Sequence, residues 1–193
     1  MADICGVLLA AGYSTRYRGN KLLADIGGRP LINYSASALA PCDRIIAVVR
    51  ADDKTSMAVL NTLGVDCVFN DEAGRGMGHS IACAIHASPD SGGWCLLPAD
   101  MPYVKAATTQ RLISALHDGS DLAAPFYNEH RGHPVAFSNQ FRDVLAGLDG
   151  DCGARSIIEH HVNQLTVVDC DDAGVLIDID TVEELEQQTT VKR

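Results

Sequence analysis

GVLLAAGYSTRYRGNKLL, residues 6–23, sets a continuous apolar run against small residues, two arginines and a lysine. A run without alternation reads as a strand buried on both faces, and the residues after it as the loop leaving that strand. The loop is neither a Walker A sequence nor G-x-G-x-x-G, so the two commonest phosphate motifs are absent. The physics of anion binding is met another way. Ala10, Ala11 and Gly12 let backbone N–H groups approach a ligand closely, and Ser14 adds a hydroxyl. Arg16 supplies a planar fork for phosphate oxygens and Lys21 a mobile point charge. The competing reading is a glycine turn flanked by solvated cations.

Working outward, element types alternate. After the strand at 4–10, Pro30 opens a helical pattern in PLINYSASALA, where it suits the first turn. RIIAVVR (44–50) is rich in β-branched residues and reads as a strand. Asp52 or Asp53 caps a helix that Gly64 ends. Strands follow at 65–70 and 93–100, separated by a glycine-rich stretch and the short helix SIACAIHA. A helix spans 106–117, and strands at 121–127 and 133–138 are close enough to pair antiparallel around the turn NEHRG. Helices near 139–147 and 153–161, strands at 165–170 and 175–180, and a closing acidic helix from Thr181 complete the pattern. Strand–helix alternation at this rhythm predicts an α/β fold in three layers, α/β/α, with a mostly parallel sheet. Ligands in such sheets bind at the carboxyl ends of the strands, which directs attention to 10–21, 70–80 and 98–103.

The chain has 193 residues, 47% of them hydrophobic and 21% charged, which predicts a single domain, 1–193, with a substantial core. A formal net charge of −10 argues against nucleic-acid or anionic-membrane binding. Against that background, three of the fifteen Lys and Arg fall between positions 16 and 21. The apolar run 4–11 is too short to span a bilayer and follows Asp3 rather than a basic segment, so a cytoplasmic protein is expected. Seven scattered cysteines without a C-x-x-C pair read as small core residues, not as a disulfide framework or zinc site.

Two carboxylate positions stand out. Asp100 in LLPADMPYV directly follows a buried strand and lies between two prolines. It suits a hard cation such as Mg²⁺, which takes its remaining ligands from phosphate and water, or it is a turn aspartate. Asp178 and Asp180 in VLIDID share one face of a regular strand. Asp180 or Thr181 is also placed to cap the last helix.

In order along the chain, LLAAGYSTRYRGNKLL with GRPLI, GRGMGHSIACAI, LLPADMPYV, RGHPVAFS, GDCGAR and DIDTVEEL resemble the signature of MobA/MocA-like nucleotidyltransferases. These are built on the nucleotide-diphospho-sugar-transferase fold, a GT-A-like architecture with a Rossmann-like nucleotide-binding half. Within that group the chain is most similar to molybdenum cofactor cytidylyltransferases, since Ala11-Gly12 stands where guanylyl-transferring relatives have Gly-Gly. The resemblance implies a nucleotide-binding half at 1–104 and an acceptor-binding half at 105–193. It implies that Leu9, Ala10, Ala11, Gly12 and Ser14 hold base and phosphates by backbone contacts, and that Arg16 and Lys21 neutralise the triphosphate. Gly76, Met77 and Ser80 would line the base and ribose pocket. Asp100 would bind Mg²⁺ with Asp180, or Asp178, as second ligand, so that Arg16, Lys21 and Asp100 form the catalytic set. His133, Asp151 and Arg155 would face a molybdopterin-type acceptor. CTP is the expected triphosphate, and a molybdoenzyme or accessory protein is a possible partner. The chain departs from its relatives at Arg18, usually a small residue, and at Val182, usually proline. A sugar 1-phosphate transferase of the same fold and a non-catalytic nucleotide or pterin carrier are the alternatives.

Overall fold

The computed structural model describes residues 2–13, 17 and 19–191, the last five of these as backbone only. Strand β1 (Ile4–Leu9) leads through the basic loop to a 3-10 turn at Lys21–Leu23, the two-stranded flap β2 (Asp25–Ile26) and β3 (Arg29–Pro30), and helix α1 (Leu31–Ala38). β4 (Arg44–Val49), α2 (Lys54–Thr62), β5 (Asp66–Phe69), α3 (Met77–Ala87), β6 (Gly93–Pro98) and α4 (Ala106–His117) continue the alternation. The second half runs β7 (Leu122–Tyr127), β8 (His130–Arg131), β9 (Val135–Ser138), α5 (Arg142–Ala146), α6 (Arg155–His160), β10 (Leu165–Asp169) and α7 (Val182–Val191).

The main sheet has the order β10-β7-β9-β6-β1-β4-β5, with β8 paired to β7. β1 is parallel to both β4 and β6, so Leu8 lies opposite Ala47 on one side and Leu97 on the other. β9 runs antiparallel between β6 and β7, as the sequence predicts for its pairing with β7. From β1 the chain winds outward through β4 and β5, then returns to β6 on the other side of β1. That reversal makes the carboxyl ends of β1 and β6 the topological switch point, where such sheets open a crevice.

The pleat divides the core in two. Ile4, Leu8, Cys95 and Leu97 pack against Leu31, Leu60, Leu112 and Leu185 of α1, α2, α4 and α7. Cys5, Val7, Trp94 and Leu96 pack on the opposite face against Ile81, Leu145 and Ile158 of α3, α5 and α6. Adjacent residues of one strand thus serve different layers, which is why its sequence is apolar throughout. Fully buried Trp94 donates its indole N–H to Ser88 Oγ at 2.9 Å, so its burial leaves no polar orphan. Burying such a side chain contributes about 1.5–3 kcal/mol by area.

One expected element differs. Residues 175–180 form no strand. A 3-10 turn at Ala173–Leu176 leads into extended chain, and the Ile179 N–H donates to the Asp100 carbonyl at 2.9 Å in place of a ladder. Buried Ile179 still separates Asp178 from Asp180. Thr181 caps α7: its hydroxyl accepts from the Glu184 N–H at 3.2 Å while Glu184 accepts the Thr181 N–H at 3.0 Å. This reciprocal capping box is built on the threonine hydroxyl and not on the Asp180 carboxylate.

Candidate active site

At the switch point, the Ala10 N–H bonds the Val48 carbonyl at 2.9 Å and the Ala99 N–H the Leu9 carbonyl at 3.0 Å, tying the first residue after each strand to its neighbour. Above them opens a cavity of about 400 Å³. Leu9, Ala11 and Gly12 wall one side, Gly76, Met77 and Ser80 the opposite side, and Asp100 and Asp151 close the ends. Ala10 is buried behind this wall. Ser14, Arg16 and Arg18 lie outside the described residues.

Lys21 is delivered by a polar knot. Asp53 caps α2 through the Ser56 N–H at 3.1 Å. Its two carboxylate oxygens also accept from the Asn20 amide at 3.0 Å each, and Asn20 Oδ1 accepts the Leu22 N–H at 3.1 Å. The loop end is thereby locked to α2, and Lys21 projects inward. Its ammonium lies 2.8 Å from Asp100 Oδ2 and 3.1 Å from Asp180 Oδ1, with the lysine side chain only 8% exposed. Burial alone would lower the lysine pKa, but the hydrogen bonds and charges of Asp100 and Asp180 outweigh it and hold the ammonium above its ordinary value. The sequence placed Lys21 on the triphosphate; the structure seats it between the two carboxylates.

Asp100 Oδ1 is sealed from solvent without a hydrogen-bond partner. A bare carboxylate oxygen of this kind suits a hard divalent cation. Among the described residues no three His, Cys, Asp or Glu side chains are gathered to ligate a metal by themselves. An ion there would take further ligands from phosphate and water. Asp178 stands close enough to Asp100 and Asp180 that burial and then their charges raise its pKa, while Lys21 lowers it.

The far wall carries a hydrogen-bond code. Asn70 Oδ1 accepts the Glu72 backbone N–H at 3.0 Å, which fixes the amide orientation. The Asn70 amide NH₂ therefore donates to Ser80 Oγ at 2.9 Å, so the serine hydroxyl accepts there and keeps its proton for another partner. His79 Nδ1 sits 2.9 Å from the same Asn70 Oδ1, so that nitrogen carries a proton.

The loop 149–153 is held over the start of α3 from two directions. Arg75 grips Asp149 at 2.6 and 3.1 Å, and the Gly78 N–H donates to the Gly150 carbonyl at 2.8 Å. Gly76, at φ 107°, leaves no room for a side chain, since a Cβ would meet Gly150 at 2.6 Å and Asp151 closer still. Asp151 thus belongs to the wall of the large cavity. Arg155, 78% exposed, pairs with Glu159 at 2.7 Å at the edge of a smaller one. His133 lies beyond Asp100. Burial first, then the charge of Arg131, lowers its pKa to about 4, so it is neutral at pH 7.

Sequence reasoning missed Arg50, which donates to the Gly12 carbonyl at 2.7 Å and lies 4.7 Å over the Tyr13 ring. It missed Asn20 and Asn70, whose roles depend on partners distant in sequence, and Arg131. The RGHP run carries a signal for Arg131 beside the histidine that the resemblance singles out.

The family model described as a MobA-like NTP transferase domain matches residues 6–165. The nicotine blue oxidoreductase of Paenarthrobacter nicotinovorans is 28% identical over 192 residues, covering 94% of each chain. A probable molybdenum cofactor guanylyltransferase of Haloferax mediterranei is 31% identical over 120 residues, 61% of this chain and 57% of its own. Rv0371c of Mycobacterium tuberculosis H37Rv superposes with a TM-score of 0.86 at 24% identity over 98% of both chains, a likeness of fold. A second structure of that protein, described as a complex with manganese, gives a TM-score of 0.81 at 24% identity over 97% of this chain and 98% of its own. No described helix is long and apolar enough to cross a membrane.

Proposed function

Since the chain belongs to the MobA-like NTP transferase domain family, we propose that it transfers CMP from CTP to the terminal phosphate of a molybdopterin-type acceptor and releases pyrophosphate. The observation that carries this reading is the Lys21–Asp100–Asp180 cluster at the switch point, bordering a cavity of nucleotide size. The acceptor phosphate oxygen forms a bond to the α-phosphorus as the bond from that phosphorus to the bridging oxygen breaks, and the electron pair leaves with pyrophosphate. The nucleophile is already anionic, so the chain needs no strong general base.

Its residues act by positioning and by matching charge. The small residues after β1 admit the triphosphate, the glycine-rich start of α3 and Met77 border the nucleoside, and Lys21 fixes the carboxylates in register. Mg²⁺, held through Asp100 Oδ1 with Asp180 or Asp178, would supply charge stabilisation at the phosphoryl oxygens when bound. The manganese complex of the Mycobacterium tuberculosis protein supports a divalent cation. Choice of cytosine is supported by Ala11-Gly12, which stands where guanylyl-transferring relatives have Gly-Gly.

The test is Mg²⁺-dependent pyrophosphate release with each of the four ribonucleoside triphosphates, with and without molybdopterin cofactor. Release with CTP and acceptor together supports the reading, and Asp100→Ala should lower it at least about a thousandfold, as loss of a principal electrostatic group does. Nucleotide binding without release from any triphosphate points instead to a carrier protein.

A further inference from the structure

Two more cavities adjoin the first. One, about 340 Å³, opens beside Asp100 and Asp178. The other, about 160 Å³, is a slot walled by Leu9, Ile81, Leu96, Val135 and Ile158. Arg131 and His133 line both. Arg131 is held there by the backbone. Asn128 and Glu129 at φ 49° and 65° turn β7 back into β8. The Gly132 N–H then donates to the Pro125 carbonyl at 2.8 Å, and the His133 N–H to the Val175 carbonyl at 2.9 Å. Gly132 lies flush on Val175, where any Cβ would collide.

Held so firmly, the Arg131 side chain still has no hydrogen bond or ion pair among the described residues. The nearby Glu159 carboxylate is taken by Arg155. In a chain of net charge −10, a half-buried arginine between two cavities and without a carboxylate partner is a counter-charge awaiting an anion. The slot beside it is apolar, apart from the rim residues Arg131, His133 and Arg155. The His133 Nδ1 is sealed in the protein without a partner.

We propose that Arg131 seats the phosphate of the acceptor and that the slot takes the acceptor's ring system. The acceptor is then a phosphate monoester of a ring compound that lays its flat face in the slot and turns its polar edge to the wider cavity, and not a sugar phosphate, whose hydroxyls on every side would lose water in the slot without replacement. The arginine fork meets two phosphate oxygens at once, and Asp100, shared with the nucleotide cavity, lies between donor and acceptor. This assignment rests on the transferase reading for the word acceptor, but its test does not require turnover.

Calorimetric titration with phenyl phosphate, glucose 1-phosphate and inorganic phosphate tests it, each with the triphosphate loop filled by excess non-hydrolysable CTP analogue and Mg²⁺. Phenyl phosphate should bind wild type at least tenfold tighter than the other two. Arg131→Gln should weaken phenyl phosphate at least tenfold, Arg131→Lys by less, and both should keep affinity for the CTP analogue within twofold of wild type. Ala154→Leu, which narrows the slot from its rim, should abolish the preference for the phenyl ester and leave inorganic phosphate unchanged. Undiminished phenyl phosphate binding in Arg131→Gln, equal loss of nucleotide affinity, or no preference among the three ligands in wild type overturns the proposal. Failure of the cytidylyl reading shows separately, as absent pyrophosphate release by wild type that still binds phenyl phosphate.

Discussion

Replacing Lys21 by methionine keeps the unbranched apolar stem, shorter by the terminal nitrogen, and removes the charge that separates Asp100 from Asp180. At an effective dielectric of about 20, contacts of 2.8 and 3.1 Å correspond to gross attractions of about 6 and 5 kcal/mol. Most of that is offset by the desolvation of the ammonium. Stranding a buried charge by removing its partner costs about 3–5 kcal/mol, and the two carboxylates here are 25% and 23% exposed, so water recovers part of it. The expected net loss is about 2–4 kcal/mol, a fall in the urea midpoint of roughly 1 M for a domain of this size. Because the variant leaves two carboxylates facing each other, millimolar Mg²⁺ should restore a larger share of stability to Lys21→Met than it adds to wild type, by binding linkage. Lys105→Met is the control: that ammonium is exposed and bonds only the Asp171 carbonyl, so its loss should change stability by less than about 0.5 kcal/mol. Urea unfolding with and without Mg²⁺ reads all of this. If Lys21→Met unfolds with wild type, or if Mg²⁺ raises both proteins equally, the ammonium is not the counter-charge of this site.

Two further outcomes follow from the geometry. His133 has a pKa near 4 in the fold against about 6.5 unfolded, so the neutral ring's stability is complete above pH 6.5 and is lost as pH falls through 4. The difference between wild type and His133→Gln should shrink over that window by up to about 3 kcal/mol, less any screening at this half-buried ring; a difference flat between pH 7 and 4 refutes it. Gly76→Ala forces a side chain into the loop 149–153 at a backbone conformation that costs about 1–3 kcal/mol outside glycine. Its KM for the triphosphate should rise at least tenfold with a lowered thermal midpoint, and unchanged nucleotide binding would remove that loop from the site.

Much of the site follows from the order of residues. The unbroken apolar runs at β1, β4 and β6 can be satisfied only by burial on both faces, and alternation with helices then leaves few topologies. That local pattern points to 10–21, 70–80 and 98–103, and Gly12, Gly76 and Asp100 from these stretches line one cavity. It was less successful where a local pattern had two outcomes. VLIDID alternates like a strand, yet residues 175–180 form no ladder; the segment is held by separate bonds, the His133 N–H to the Val175 carbonyl and the Ile179 N–H to the Asp100 carbonyl. Of the two caps that the sequence leaves open for α7, Thr181 takes the place because Glu184 completes the box with the threonine.

What the sequence by itself determined was the fold class, the strand ends to examine and the chemical types near them, because periodicity and turn chemistry act over a few residues. What only the tertiary structure decided was who meets whom. Lys21 lies between carboxylates 79 and 159 positions away, Ser80 accepts from Asn70, and Arg131 has no carboxylate partner among the described residues while Arg155 holds Glu159. Those pairings are fixed by how the two faces of the sheet close over its carboxyl edge, and charge and hydrogen bonding between distant residues leave no period in the chain to read.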